Sequence, residues 1–413
     1  MSFLNKVFLA TLVFLPFFGF SKSQFVRVVF NRDASNAATI IWDQNRGGFL
    51  GLYLDTIEPE RNNYRQVFTE NTKNGAKGMR NYVVRLTNLK PNQRYYFTIK
   101  DTEGFGRTYY FSTVSNQPNT RLSFIAGGDS RDNRATRVKA NKLVAKLKAH
   151  AVLFNGDFTG VDIEKQWKEW FADWEHTIDT DGRITPLVVT RGNHEHTNQV
   201  LVNLFDVPHK KVYYDTQFGG TLLNLVSLNS EIQKVGGQKI FLRRTLEEHK
   251  DFHWQIMQYH RPVRAHVKSK KEMETQYRNF VPLFERYANV RLCLENDSHT
   301  WKVTWPIVSS KDKDADEGFK RDDVKGIIYA GEGCWGAPLR AADDKKSWTR
   351  EAEAINQFNW FFVSSEKIEL HTVRYDNAEE VGSLTEETRF ETPSKLVLYG
   401  PLHGTKVEIF KRK

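Results

Sequence analysis

Five apolar runs in this chain each end in a short polar tail of oxygen and imidazole donors. Residues 122–126 lead into Gly127-Gly-Asp-Ser-Arg131, 151–154 into Asn155-Gly-Asp-Phe158, and 186–189 into Thr190-Arg-Gly-Asn-His-Glu195. Residues 254–257 lead into Gln258-Tyr-His-Arg-Pro262, and 290–294 into Glu295-Asn-Asp-Ser-His299. Carboxylates, side-chain amides and imidazoles are the donors that divalent cations take. Two such cations about 3.5 to 4 Å apart polarise phosphoryl oxygens and make hydroxide from water near neutral pH. The pair needs a shared carboxylate, further oxygen ligands and neutral imidazoles. Asp129, Asp157, Asn193, His260, Asp297 and His299 offer that set. Any one tail alone is a common turn or helix cap; the succession of five is the signal.

Donors at the ends of successive strands imply an open α/β sheet, whose carboxyl edge is where such folds bind ligands. From Arg121 onward, apolar strands alternate with amphipathic helical stretches at 135–150, 164–175 and 274–287, the pattern of a layered α/β domain. Before Arg121 the pattern differs. Residues 25–30, 38–42 and 82–86 are rich in β-branched and aromatic side chains, and 94–100 and 107–113 read as a hairpin joined through Asp101-Thr-Glu-Gly104. The expected organisation is a β-sandwich over 24–116, a linker at Ser115-Asn-Gln-Pro-Asn119, an α/β domain over 119–375, and an extension over 376–413 with short strands at 395–399 and 406–410. The charged run 309–323 reads as a flexible surface loop.

The 413 residues suffice for two cores, and 39% hydrophobic with 27% charged residues excludes a disordered or collagen-like chain. The formal charge of +10 is scattered and forms no basic stripe, which argues against a specific nucleic-acid partner and for attraction of small anions. Lys6, the apolar run 7–20 and Ser21 and Ser23 have the layout of a secretory signal over 1–23. That run is shorter than the roughly 20 residues a membrane span needs. No retained membrane anchor is expected, and export to a periplasm or the medium is. Cys293 and Cys334 are too few for a disulfide scaffold; one bridge and two buried thiols both remain open.

The series Gly-Asp, Gly-Asp, Gly-Asn-His-Glu, Tyr-His-Arg-Pro and a terminal His motif resembles the calcineurin-like metallophosphoesterases. With a β-sandwich in front, the chain is most similar to purple acid phosphatases and their bacterial relatives. The resemblance spans residues 25–375. It implies a four-layer αββα catalytic domain behind a fibronectin-III-like sandwich, two divalent metal ions, and a small phosphorylated substrate. By position, Asp129 and His299 resemble first-metal ligands, Asp157 the bridging carboxylate, and Asn193 and His260 second-metal ligands. His194 resembles the proton donor to the leaving group, with Glu195 as its support.

Three departures stand out. Asp297 takes the place where the family's last motif usually has its first histidine, and can still ligate a hard cation. Gly160 stands where purple acid phosphatases carry tyrosine, so Mn, Zn or Fe(II) is expected and no ferric-tyrosinate centre. Arg131 replaces a common histidine and is suited to clasp phosphate oxygens. Trp335, on the Gly-rich loop after 326–330, is a candidate pocket wall and substrate contact, with core packing as the alternative. His196, His266 and Arg340 are further rim candidates. The expected function is phosphate monoester hydrolysis by hydroxide held between the metals. A phosphodiesterase or nucleotidase on the same site, or a degenerate binding protein, are the rivals.

Overall fold

The structure is a computed structural model that describes residues 22–60 and 63–412. The expected signal segment lies almost wholly outside the described residues. Among the described residues, no helix is long and apolar enough to cross a membrane.

The α/β part is built on two stacked sheets. In the first, strands Leu122–Gly127, Ala151–Phe154 and Leu187–Val189 run parallel, with Gln357–Val363 and Lys367–Arg374 added antiparallel beyond Leu122–Gly127. The second has seven strands, of which Leu223–Ser227, Trp254–Gln258, Val290–Glu295 and Ile328–Gly331 are parallel neighbours. Side-chain alternation assigns the layers. Leu225, Ile256 and Leu292 join the core between the sheets. Val226, Met257 and Cys293, one residue on, face Leu242, Leu246, Phe280 and Phe284 of helices Gly237–Glu248 and Glu274–Arg286. On the opposite side, Phe154 meets Trp170 and Trp174 of helix Glu164–Trp174 edge-on. Phe124 against Phe218, ring centroids 5.0 Å apart, ties sheet to sheet. The order is helices, sheet, sheet, helices.

The N-terminal region is all β. Strands Ala38–Gln44 and Met79–Leu86 face a second sheet of Phe49–Asp55 and Arg94–Asp101, with Ile40, Trp42 and Val84 sharing one core with Leu52, Leu54, Phe97 and Ile99. This sandwich is not a detached bead on a linker. Strand Ser23–Val29 pairs in parallel with Leu187–Val189, so one sheet runs unbroken from the sandwich into the α/β part. Buried Arg27 reinforces the seam through the carbonyl of Leu204 and the ring of Phe171. The C-terminal segment crosses the same seam: Glu386 accepts from Arg94 at 2.7 Å and from Arg183 at 3.2 Å. Strands Val397–Tyr399 and Lys406–Phe410 both pair with Lys367–Arg374.

Two local expectations change. The charged run 309–323 is not a free loop: Ile307–Ser309 and Phe319–Arg321 form a ribbon with Phe319 buried. Helices Asn198–Phe205 and Gly237–Glu248 escape the sequence reading. Cys293 and Cys334 are both buried and free, with no bridge between them.

Candidate metal centre

Each of the five polar tails leaves its strand at the same carboxyl edge, and the turn that follows is tight. Asp129, Asp157, Asp297 and His299 all have left-handed backbone, with φ of 57°, 54°, 73° and 58°. Non-glycine residues hold that conformation at a cost of about 1 kcal/mol or more, and four at one edge mark a place where side-chain direction outweighs backbone comfort. Glycines make the close approach possible. A Cβ on Gly156, whose φ is 86°, would sit 2.3 Å from the nitrogen of Gly192, and one on Gly333 would sit 2.5 Å from Asp129 Oδ2.

The buried donors converge in two groups with one shared member. Asp129, Asp157 and His299 bring one ligand atom each within 4.8 Å of one another, and so do Asp157, His260 and Asp297. Asn193 joins the second group, its Oδ1 lying 3.2 Å from His260 Nε2. His260 Nε2 is 3.3 Å from Asp157 Oδ1 and 3.5 Å from Asp297 Oδ1, and His299 Nε2 is 3.3 Å from Asp129 Oδ1.

Three imidazoles are oriented in the same way. His260 Nδ1 donates to the Asn155 carbonyl at 2.7 Å, His299 Nδ1 to Pro338 at 3.0 Å, and His194 Nδ1 to Gly160 at 2.5 Å. A proton fixed on Nδ1 turns Nε2 toward the carboxylates, the arrangement metal-binding histidines use. Cation-type chemistry also fits the oxygens. Asp129 Oδ1 and Asp157 Oδ2 are buried acceptors with no donor, which is costly unless a cation or its water fills the gap.

The electrostatics reflect the same demand. Burial opposes ionisation of Asp157, yet His260 and then His194 hold its carboxyl down at about 2. Burial likewise opposes charge on His260, but Asp157 and Asp129 raise its pKa well above the usual imidazole range. Asp297, desolvated as well, is held far below the ordinary carboxylate value by His260 and Lys270.

His194 and Arg131 stand at the rim, their side chains 25% and 20% exposed. His194 Nε2 is 3.7 Å from Asp157 Oδ2, and Arg131 Nη1 is 3.8 Å from that same oxygen. Glu195 is not a partner of the His194 ring. It is fully buried and braces the loop instead, accepting from the backbone nitrogens of Asp157, Phe158 and Gly192 at 3.1, 2.9 and 2.7 Å. Burial, and after it Asp157, push its carboxyl up to about 8. The ring of His194 is held by Gly160, where purple acid phosphatases would carry tyrosine.

Trp335 does not line the site. Its ring is fully buried between Phe358, Phe154 and Trp174, and its Nε1 donates to Asn141 at 2.9 Å. The loop turns the indole inward because these three rings form an apolar slot and helix Arg134–Leu147 offers its Nε1 an acceptor in Asn141. His266, another rim candidate, is buried against Glu332. His196 is exposed beside Asp162, and Arg340 caps the carbonyls of Asp297 and Ser298. Lys270, which the sequence reading passed over, reaches Asp297 Oδ2 at 2.8 Å; lysine in a loop carries no sequence signal of that contact.

The family model described as calcineurin-like phosphoesterase matches residues 124–301. Among solved structures, a purple acid phosphatase from yellow lupin (Lupinus luteus) seeds superposes with a TM-score of 0.68 at 15% identity, over 87% of this chain and 73% of that one. A structure of PhoD superposes with a TM-score of 0.66 at 11% identity, over 95% of this chain and 91% of that one. At such identities the likeness is one of fold. No curated protein matches the sequence.

Proposed function

We propose that this chain, which belongs to the calcineurin-like phosphoesterases through residues 124–301, hydrolyses phosphate monoesters at the carboxyl edge of its two sheets. The observation that carries the reading is that Asp157 alone belongs to both ligand groups, as a bridging carboxylate must. Asp129, Asp157 and His299 would hold one divalent cation, and Asp157, Asn193, His260 and Asp297 the other. Bound there, such a pair supplies Lewis acidity toward phosphoryl oxygens and a water acidic enough to react near neutral pH.

The remaining work falls to side chains. Arg131 presents a guanidinium beside the first group, where its fork grips phosphoryl oxygens and offsets their charge. His194, its Nδ1–H donated to the Gly160 carbonyl, holds Nε2 3.7 Å from Asp157 Oδ2, from where the protonated ring would pass its Nε2 proton to the departing alkoxide. Glu195 keeps the turn bearing Asp157 and the Gly192 backbone in register. Gly160 offers no phenolate, which favours Mn, Zn or Fe(II) over a ferric centre. The apolar run 7–20 supports export of the chain, checked by N-terminal sequencing of protein recovered outside the cytoplasm.

Elemental analysis of the purified chain, beside turnover of p-nitrophenyl phosphate and its bis-ester, tests the reading. Near two cations per chain and preference for the monoester are expected. A chain that takes up no cation and turns over neither ester would instead be a binding protein on this fold.

A further inference from the structure

We propose that Lys270 is a second phosphoryl-binding cation of this site and sets its preference for the dianionic head of a phosphate monoester. The inference rests on the phosphoesterase reading and deepens it. Asp297 stands where the resemblance expects a neutral imidazole, so this site carries one more buried negative charge than that pattern. Lys270 answers it, with Nζ 2.8 Å from Asp297 Oδ2 while Oδ1 faces His260 at 3.5 Å. One carboxylate oxygen is thus turned to the ligand group and the other to the lysine.

Three features make this ammonium more than an incidental ion pair. Its side chain is 21% exposed, so the charge sits at the mouth of the centre. Among the described residues Asp297 is its only ionic partner, and an ammonium has three protons to give. The loop that carries it is anchored from beneath. His266 donates to Glu332 at 3.1 Å, and buried Lys302 bonds Glu332 and Glu295 at 2.6 Å each. Glu295 immediately precedes the Asn296-Asp297 turn and Glu332 precedes Gly333, so the loop and the ligand turns share one buried ionic footing. Lys270 N then closes a turn on Val267 O at 2.9 Å.

The outcome is one fixed cation per ligand group: Arg131 by Asp157 and His299, Lys270 by Asp297. Two positive side chains match the two charges of a monoester head, whereas a diester brings a single charge and leaves one of them unanswered.

The test compares metal-loaded wild type with Lys270→Gln and Lys270→Arg, measuring cation content, calorimetric binding of inorganic phosphate, and KM and kcat for p-nitrophenyl phosphate and its bis-ester. Lys270→Gln should keep its cations, lose about 10- to 100-fold in phosphate affinity and monoester KM, the worth of a charge-assisted hydrogen bond, and shift the bis-ester far less. Lys270→Arg should recover most of the loss. Phosphate affinity unchanged in Lys270→Gln overturns the proposal, and so does loss of a cation, which would make Lys270 a prop for Asp297. Wild type that binds no cation would sink the phosphoesterase reading itself, a result separate from either.

Discussion

Replacing Asp157 by asparagine changes one charge and almost no volume, at the residue both ligand groups share. Asp157 Oδ1 accepts the His194 N–H at 2.8 Å, and an asparagine carbonyl can keep that bond. Its NH2 then falls where Oδ2 stood, facing Arg131 Nη1 and His194 Nε2, and presents protons where the carboxylate offered a lone pair. A structural Zn(II) site of four ligands is worth about 10 to 16 kcal/mol, so one ligand is worth about 2.5 to 4. That converts to a weakening of roughly 10²- to 10³-fold in Kd, felt twice because the ligand is shared. Calorimetric titration of Mn(II) into chelator-treated protein is the assay: near two equivalents for wild type and no tight binding for Asp157→Asn. The metal-free variant should melt within a few degrees of metal-free wild type, because the lost attraction to His260 and His194 is offset in part by relief of repulsion with buried Glu195. Two tight equivalents in the variant would refute the bridging role. A metal-free variant that fails to fold would refute the electrostatic account.

Other outcomes follow from the same geometry. His194→Gln should retain its cations and lose about 10²- to 10⁴-fold in kcat, most for esters with basic leaving groups; a uniform loss across leaving groups would remove the proton-donor role. Trp335→Phe should lower Tm while leaving KM for p-nitrophenyl phosphate unchanged, since the indole packs in the core; a KM change without a Tm change would place it back at the pocket. Burial opposes charge on Glu386, but Arg183, Arg94 and Arg389 hold its carboxyl at about 2 against an ordinary 4.5. A depressed folded value stabilises above the unfolded one and is lost as pH falls through the folded one. Glu386→Gln should therefore cost about 2 kcal/mol near neutral pH, discounted for partial exposure, with the gap to wild type closing between pH 4.5 and 2 in chemical denaturation. Gly333→Ala should lose stability and cations together, because its Cβ would press on Asp129 Oδ2; unchanged metal content would count against the packing argument.

Much of the site was legible because its signals are local. A strand followed by Gly-Asp or Gly-Asn-His is a short-range pattern, and the sheet's direction sends each such tail to one edge, so Asp129, Asp157, Asn193, His260, Asp297 and His299 could be assembled from order alone. What escaped depends on contacts between distant segments. The resemblance implies Glu195 as support for the His194 ring, but adjacent residues in a turn point apart, and the buried backbone N–H groups of Asp157, Phe158 and Gly192 take the carboxylate.

The amino-acid sequence by itself determined which residues arrive at the carboxyl edge, the α/β class that brings them there and the all-β region in front, since hydrophobic periodicity and turn chemistry act within a few residues. Only the tertiary structure decided that Ser23–Val29 would zip onto Leu187–Val189, that Trp335 would turn into the core and that Lys270 would reach Asp297. Strand pairing across more than 150 residues, rotamer choice at a glycine-rich loop and the partner of a long charged side chain are settled by what packs against them, and that surface exists only once the chain has folded.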